Sequence, residues 1–516
     1  MNIQPLAPTA VLTRRRVLAL GAGAGVAALL QPRAAWPQPA PLLAVESTTI
    51  EVNGKPAKVF AVKGPAGSGV MARQGDRLTG ALLNASGIPL QMHWHGQVLA
   101  PPDQDRARPG GGELPSGGSD QVDFLLTPGT HWMHSHTLAE QQLLAAPLVT
   151  READAGDVQD VVVMLHDFAF RSPEEILAEL GGTDAHGGGH GAHAMGGAAP
   201  HAGHPMPGMG GQSMMDQGMG HQGMSMPGMG GMGGGMTGAS GHAMGGMPMV
   251  HANDVAYDAF LANHRTLADP EVVQVEKGGR VRLRIINGGT ATAFFISMPG
   301  LAPRCIAVDG SPCAPAPAAA FPLAQGQRID LLVEIPAGGG AFPVLAQVEA
   351  AAPRTGIILA TAGAAVPRVA ETAGRPAGLL DLAFESTLSA TSPLAARTPD
   401  RTFAVMLGEA PGYRWTINGR IHGEHQPFVV RQGERVEMTF MNPTAMTHPM
   451  HLHGHHFQVV GIGGRRVSGP VRDTVIVPPH APVTIAFDAG QKGEWFLHCH
   501  HLYHMATGMM TVLQVT

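Results

Sequence analysis

The stretch GEWFLHCHHLYHMATGM, residues 493–509, decides how the rest of this chain is interpreted. Its first five residues have the composition of a β-strand, and side chains alternate between the two faces of a strand. Cys499 is therefore expected to face one way and its neighbours His498 and His500 the other. A cysteine thiolate with two histidines and a weak axial methionine is the ligand set of a blue-copper electron-transfer site. We predict catalytic roles for these three residues, against the alternative of a buried structural cysteine among chance histidines.

Four His-x-His pairs occur in the chain, and each would present two imidazoles on one face of a strand. The pairs are His93/His95, His134/His136, His451/His453 and His498/His500. A single pair is weak evidence, because it often combines one buried and one surface histidine. Two pairs near each end of the chain predict that the first and last domains enclose several copper ions between them. His448, Cys499, His504 and Met509 are left over and make one complete blue-copper set.

In order and spacing these motifs resemble those of multicopper oxidases of the laccase and copper-efflux type, over about residues 42–516 apart from one insert. The resemblance implies an all-β fold of three cupredoxin-like domains and four copper ions. It implies that His448, Cys499 and His504, with axial Met509, hold a type 1 copper, and that His93 and His451 hold a type 2 copper. The type 3 pair would be held by His95, His134, His136, His453, His498 and His500.

The same resemblance implies a reaction: one-electron oxidation of Cu(I) or a small phenol near His448 or His504, coupled to four-electron reduction of O2 to water, in copper tolerance. Asp103 and Asp105 are candidate proton donors, with solvated loop carboxylates as the alternative. Thr444 stands where copper-efflux oxidases carry a carboxylate, so the cuprous specificity lacks support at that position. Four methionines near the type 1 motifs could form a soft docking surface or could simply pack in the core: Met446, Met450, Met505 and Met510.

Composition predicts the domain organisation. The chain has 70 Gly, 43 Pro and only 5% aromatic residues, which is typical of many short strands joined by turns. We predict β domains at 41–150, 252–365 and 400–516, a connector at 151–251 and a linker at 366–399. The middle domain has no His-x-His pair and is interpreted as a spacer or scaffold. Within the connector, Ser172-Pro173 is expected to start a short helix that runs to Leu180.

The insert at about 181–251 consists almost wholly of Gly, Met, His, Ala, Pro and Ser, and it holds half of the 28 methionines. Such a composition cannot form a packed core, so we predict a disordered segment. Thioethers favour Cu(I), which indicates copper handling rather than a plain glycine-rich linker. An alternative function is therefore a periplasmic copper-sequestration protein that binds metal through this segment.

The N-terminus predicts export. Arg14-Arg15-Arg16 precedes an apolar run at 19–30, which is typical of a twin-arginine signal over 1–40 and of delivery to the periplasm by the twin-arginine machinery; a basic start to a core helix is the alternative. That run is too short for a stable membrane anchor. The net charge of −6 argues against nucleic acid as a partner. Three domains in one chain can complete both metal sites, so we expect a monomer. Cys305 and Cys313 could pair or remain two buried thiols.

Overall fold

The computed structural model describes residues 42–64, 67–182 and 251–516. The predicted export signal and nearly all of the Met-rich insert lie outside these residues. Within them strands predominate and assemble into six sheets, which confirms the predicted all-β fold. The sheets pack in pairs around three large apolar clusters, and the described residues from 42 to 516 belong to one compact unit.

The first sandwich is built from strands with alternating apolar residues. In SDQVDFL, residues 119–125, Val122 and Phe124 are buried while the neighbouring side chains point outward. One sheet has the strand order β3-β2-β1-β5-β7 and the other β4-β9-β8-β6. The strands are β1 Leu43–Val52, β2 Lys55–Gly64, β3 Gly67–Ser68, β4 Val70–Arg73, β5 Arg77–Ala85, β6 Met92–His95, β7 Ser119–Leu125, β8 Gly129–Ser135 and β9 Ala145–Arg151.

The second sandwich begins before the insert, not after it. Strand β10 pairs in parallel with β13 from Gln159 opposite Val281 to Leu165 opposite Asn287. Strand β10 lies within the range 151–251 that was predicted as a connector, and its apolar residues are buried against later strands. The sheet orders are β11-β10-β13-β18-β15-β16 and β12-β20-β19-β14-β17. The strands are β10 Gln159–Phe168, β11 Ala259–Ala262, β12 Val272–Val275, β13 Arg280–Asn287, β14 Phe294–Ser297, β15 Arg304–Val308, β16 Ser311–Pro317, β17 Phe321–Leu323, β18 Arg328–Glu334, β19 Ala341–Val348 and β20 Arg354–Thr361.

The third sandwich carries the start of the stretch 493–509 on a central strand. Its sheet orders are β22-β21-β24-β30-β26-β27, with β28 also paired to β26, and β23-β32-β31-β25-β29. The strands are β21 Arg401–Ala410, β22 Arg414–Ile417, β23 Phe428–Val430, β24 Arg435–Met441, β25 His448–Leu452, β26 Phe457–Ile462, β27 Arg465–Arg466, β28 Val471–Arg472, β29 Thr474–Val477, β30 Val483–Asp488, β31 Gly493–Cys499 and β32 Met510–Val515. Because β31 lies between β25 and β32, its side chains are held from both sides.

Helices are short and lie between sandwiches. Helix α1 spans Pro173–Gly182, and the Ser172 hydroxyl accepts the Glu175 backbone N–H at 3.2 Å while the Glu175 carboxylate accepts the Ser172 N–H at 2.7 Å. This capping box confirms the predicted helix start. Helix α2 spans Leu502–Ala506, and 3₁₀ turns cover Pro102–Gln104, Leu138–Gln142 and Glu385–Thr387. The predicted linker 366–399 contains the last of these turns and no strand among its described residues.

Two further observations bear on the sequence predictions. No helix within the described residues is long and apolar enough to cross a membrane. Cys305 and Cys313 are both buried as free thiols, and their sulfur atoms lie 3.7 Å apart on the facing strands β15 and β16.

Candidate metal centre

Antiparallel pairing brings the His-x-His pairs together two by two. In the first sandwich β6 lies beside β8 with His93 opposite His134. In the third sandwich β25 lies beside β31 with His451 opposite His498. Since side chains repeat every two residues along a strand, the second histidine of each pair follows the first onto the same face. All eight imidazoles are buried where the two sandwiches meet.

Ring nitrogens from the two sandwiches approach one another closely. His93 Nε2 lies 3.2 Å from His451 Nε2. His498 Nε2 lies 3.0 Å from His453 Nε2 and 3.3 Å from His136 Nε2. These two groups each combine residues separated by more than three hundred positions in the chain. Imidazole nitrogens converging on one point are a donor set for a shared metal ion.

A third group uses a different ring nitrogen. His95 turns its Nδ1 inward, 3.5 Å from His134 Nε2. The His500 ring lies 5.2 Å from the His95 ring and 5.0 Å from the His134 ring, centre to centre. His500 Nε2 is buried and has no hydrogen-bond partner among the described residues. A buried nitrogen without a partner is costly unless a ligand satisfies it, so this group also fits a copper ion.

The outward-facing nitrogens of these imidazoles are held by hydrogen-bond partners, which orients the inward ones. The partners are Asp105 for His93 at 2.7 Å, Glu140 for His134 at 3.0 Å, the Ala107 carbonyl for His453 at 3.1 Å, the Cys499 carbonyl for His498 at 2.9 Å, the Asp473 carbonyl for His451 at 2.8 Å and the Asp473 carboxylate for His95 at 3.1 Å. Six of the eight rings are thus positioned before any metal binds.

The blue-copper set is assembled on the other face of β31. Cys499 Sγ lies 3.7 Å from His448 Nδ1 and 3.7 Å from His504 Nδ1. Met509 is completely buried, as are the other three. The Trp415 ring stacks on the His504 ring at 3.9 Å between centres. Sulfur and two Nδ1 atoms facing one point fit a type 1 copper, for which the thioether is a weak axial ligand.

Burial keeps these imidazoles neutral. Loss of hydration lowers the pKa of His95, His136, His448, His451, His453 and His500 well below its ordinary value, and lowers the pKa of His498 and His504 to about 3. Neutral imidazole is the form that binds metal. Burial raises the pKa of the Cys499 thiol, so its thiolate requires a cation beside it.

The sequence reasoning missed Asp473 and Arg328. The Asp473 carboxylate bonds His95 and accepts both terminal nitrogens of Arg328, at 2.7 and 2.5 Å. Burial alone would raise the pKa of Asp473, but the charge and hydrogen bonds of Arg328 outweigh it and lower that pKa. Arg328 comes from β18 of the second sandwich and is fully buried. The only sequence signal was an arginine and an aspartate at the ends of apolar strands.

A third missed residue is Asp254, which lies just after the insert. Its carboxylate lies 3.6 Å from His504 Nε2 and 3.2 Å from His501 Nε2, and it accepts the Tyr413 hydroxyl. The other type 1 imidazole meets a hydroxyl instead, because Thr444 Oγ1 lies 2.8 Å from His448 Nε2. A carboxylate therefore does approach the type 1 site, but from the second sandwich rather than from position 444.

The structure also distinguishes between residues that the sequence analysis treated as one group. Asp105 is buried against His93, whereas Asp103 is exposed on a 3₁₀ turn. Met446 and Met450 are buried in the apolar core of the third sandwich. Met505 and Met510, by contrast, line a cavity of about 600 Å³ at the edge of the segment that runs from Cys499 to Met509.

Comparisons with known proteins agree with this geometry. Two family models described as multicopper oxidase match residues 214–364 and 396–516. Among curated proteins, the chain is 29% identical over 455 residues to multicopper oxidase MmcO of Mycobacterium tuberculosis, covering 86% of this chain and 80% of the relative. It is 22% identical to copper resistance protein A of Escherichia coli, with 92% of each chain covered.

Solved structures share the fold. The multicopper oxidase Fet3p, described as functioning in iron import, superposes with a TM-score of 0.68 at 16% identity, covering 92% of this chain and 89% of the other. The laccase of Botrytis aclada superposes with a TM-score of 0.67 at 20% identity, covering 92% and 86%. Three β-sandwiches with buried histidine clusters at one interface define a cupredoxin-type oxidase.

The chain belongs to the multicopper oxidase family. It is a copper-dependent oxidoreductase that couples substrate oxidation to the reduction of O2 to water. Its cofactors are copper ions of types 1, 2 and 3. Bound copper supplies one-electron redox chemistry, and the protein supplies ligand orientation, burial and outer hydrogen bonds.

Proposed function

We propose that this protein is an exported cuprous oxidase serving copper tolerance, with the ligands assigned as follows. The type 1 copper is held by His448, Cys499, His504 and axial Met509; the type 2 copper by His93 and His451; and the type 3 pair by His95, His134 and His500 on one side and His136, His453 and His498 on the other. The observation that carries this assignment is the approach of ring nitrogens from the two sandwiches to within 3.0–3.5 Å.

The path for electrons is the backbone of β31. Cys499 is flanked by His498 and His500, which belong to opposite members of the proposed type 3 pair. His498 Nδ1 also lies 2.9 Å from the Cys499 carbonyl oxygen, which adds a hydrogen-bonded link to the covalent one. Separating the site of substrate oxidation from the site of O2 reduction lets single electrons be collected before O2 takes four.

Two observations support a cuprous substrate. Fourteen of the 28 methionines fall between residues 195 and 249, and thioethers select Cu(I). The described chain resumes at His251, whose backbone N–H donates to the Ala445 carbonyl at 2.9 Å. Two residues separate Ala445 from the type 1 ligand His448, so the chain that follows the methionine-rich segment begins beside the site where electrons are accepted.

Asp254 supports the same conclusion. Asp254 is three positions beyond His251 in the chain, and its carboxylate lies 3.6 Å from His504 Nε2. A negative charge there favours approach of a cation and also stabilises the oxidised, more positive state of a type 1 copper. The role that a carboxylate at position 444 would have played is thus available from another part of the chain.

Location and assembly form part of the proposal. The Arg14-Arg15-Arg16 motif and the apolar run after it support twin-arginine export to the periplasm. Copper-resistance relatives at 22–23% identity support a role in copper tolerance. The protein acts as a monomer, because both proposed metal sites are completed within one chain.

The test is the visible spectrum and O2 uptake of copper-loaded protein, with Cu(I) and with a phenol as donors, compared with Cys499→Ser. We expect a strong blue band that the variant lacks, and faster oxidation of Cu(I) than of the phenol. A preference for the phenol would indicate a laccase rather than a cuprous oxidase. Bound copper without a blue band would contradict the electron-transfer assignment.

A second candidate function is copper sequestration by the insert, and the methionine content favours it. Deleting residues 186–251 distinguishes the two. An oxidase keeps its turnover of a phenol, whereas a carrier loses the bulk of its Cu(I) binding and its protective effect in cells. Retained protection after the deletion would exclude sequestration as the main function.

A further inference from the structure

The hairpin of β15 and β16 in the second sandwich carries two cysteines that have no part in the metal centre. Cys305 lies on β15 and Cys313 on β16, and both are buried in the apolar cluster of that sandwich. Their sulfur atoms lie 3.7 Å apart. The sulfur atoms of a disulfide lie about 2.05 Å apart. The two thiols are therefore within reach of a cross-link by a small approach of their side chains.

An irregularity in the hairpin brings the two sulfur atoms to the same face. Ala307 pairs with Pro312, and a regular continuation of this register would place Ile306 opposite Cys313. Because side chains alternate along a strand, Cys313 would then face away from Cys305. The register shifts between Cys305 and Ala307 instead. A bulge of this kind re-aims a side chain, so the meeting of the two thiols is built into the backbone.

The two thiols differ in how readily they lose a proton. Hydrogen bonding with Cys313, together with burial, raises the pKa of Cys305 well above its ordinary value. Hydrogen bonding from Cys305 lowers the pKa of Cys313, and the positive charge of Arg472 lowers it further against the effect of burial. The thiolate, not the thiol, is the reactive form of cysteine. Cys313 is therefore the sulfur that reacts first.

A short piece of the predicted linker covers Cys313. Ala390 makes an isolated β-bridge with Cys313, and two backbone hydrogen bonds of 2.9 and 3.3 Å join residues 389–391 to β16. A segment that has no strand ladder opens locally at a lower free energy than the sheet beneath it. Such an opening admits a small oxidant to Cys313, and closure afterwards shields the pair from reductants.

The turn of this hairpin reaches the interface that holds the histidines. Cys305 and Cys313 stand four positions to either side of Asp309, whose carboxylate accepts the Thr474 backbone N–H at 3.3 Å. The Thr474 hydroxyl lies 3.2 Å from Nδ1 of the proposed ligand His451. A cross-link between the cysteines therefore closes the loop that carries Asp309 and holds its carboxylate against the backbone of Thr474.

We infer that Cys305 and Cys313 form a disulfide in the exported protein, with cupric ion as the oxidant. Each thiol loses one proton and one electron, a bond forms between the two sulfur atoms, and two cupric ions become cuprous ions. The inference goes beyond the proposed oxidase function and takes from it only the export of the chain, because disulfides persist outside the reducing cytoplasm. The cross-link also stabilises the fold by restricting the unfolded chain.

The first test needs no variant. Copper-loaded protein isolated after export is denatured with a copper chelator and without reductant, alkylated with N-ethylmaleimide and digested with endoproteinase Asp-N, which cuts before aspartate. The cut before Asp309 places the two cysteines on separate peptides, 269–308 and 309–329. We expect mass spectrometry to show these peptides cross-linked until dithiothreitol is added, while Cys499 is alkylated. Separate, alkylated peptides would overturn the inference.

The second test counts electrons. Wild-type protein, Cys305→Ala and Cys313→Ala are reduced, desalted and incubated with excess cupric ion and bathocuproine disulfonate, which reports cuprous ion. We expect the wild type to yield about two more cuprous ions per chain than either variant, because the dithiol–disulfide couple transfers two electrons. Cys499→Ser is the control that keeps both cysteines, and it should show the same excess over Cys499→Ser/Cys313→Ala. Equal yields from all proteins would overturn the inference.

Discussion

The second sandwich differs from the first and third in what it buries near the metal centre. The outer two contribute imidazoles, whereas the middle one contributes charge: Arg328 from β18 binds Asp473, and Asp254 approaches His504. Arg328 also donates to the Thr130 carbonyl of the first sandwich at 3.1 Å. A domain without a single proposed ligand therefore contacts both ligand-bearing domains and orients their histidines. This domain was interpreted as a spacer or a scaffold, and these contacts favour the scaffold.

The largest effect on activity is expected from removing a proposed copper ligand from one of the two sandwiches that carry the histidines. His498→Ala should abolish O2 uptake, because this imidazole faces both His136 and His453. The blue band should persist, since Cys499, His448 and His504 are untouched. Oxygen electrode measurements and the visible spectrum check both outcomes. His264→Asn, in the second sandwich, is the control, since asparagine tolerates the positive φ of 65° at that position. Persistent O2 uptake in His498→Ala would refute the assignment.

The next largest effect tests the ion pair that Arg328 of the second sandwich makes with Asp473. Arg328→Met removes the guanidinium that pairs with the buried Asp473 carboxylate, which should lower the free energy of unfolding by about 3–5 kcal/mol. Urea denaturation of the copper-free protein measures this loss. Arg466→Met is the matched control, because the Arg466 side chain is 67% exposed in its pair with Glu437 and should contribute at most about 1 kcal/mol. Equal losses of unfolding free energy in the two variants would mean that the buried Arg328 pair stabilises the fold no more than a surface pair does.

A pH-dependent contribution also distinguishes the second sandwich. Burial raises the pKa of Glu349 from 4.5 to about 7. Because the folded state holds this proton more tightly, Glu349 contributes its full stability below pH 4.5 and loses it as the pH rises to about 7. Glu349→Gln keeps an acceptor for the Leu380 N–H and should be more stable than wild type at pH 8 by up to about 3 kcal/mol. The difference should vanish near pH 4.5. Unfolding curves across this range check the prediction, and the exposed Glu334→Gln should show no such trend.

The smallest effect concerns the carboxylate beside the type 1 site. Asp254→Asn removes a negative charge 3.6 Å from His504 Nε2, which destabilises the oxidised copper and should raise the reduction potential. We expect a shift of about 60 mV, equivalent to a tenfold change in a one-electron equilibrium. Redox titration of the blue band measures it, with the exposed Asp381→Asn as control. An unchanged potential would leave Asp254 with a structural role only.

Sequence reasoning succeeded where the signal was local. The His-x-His spacing and the alternation of strand side chains predicted that the histidines of each pair share a face, and all eight converge in the structure. Ser172 as N-cap with Pro173 after it identified the start of a helix, and the structure adds the reciprocal hydrogen bonds with Glu175. The all-β class followed from turn-rich composition. Each of these depends on interactions between residues close together in the chain.

It failed where partners are far apart. Strand β10 lies in the range predicted as a connector, and the insert separates it in the chain from the strands it pairs with. Asp254 and Arg328 had no motif around them, since their partners lie 250 and 145 residues further along the chain. Asp103 and Asp105 looked equivalent, and only the packing of the loop buried one against His93.

The sequence by itself determined the donor types, their alternation along strands and the all-β class, because these follow from side-chain chemistry and from the two-residue repeat of a strand. Only the tertiary structure decided which nitrogens meet, which carboxylate approaches the type 1 histidines and which methionines line a cavity. Those outcomes depend on how the three sandwiches pack, and packing is set by many weak contacts that no short stretch of sequence encodes.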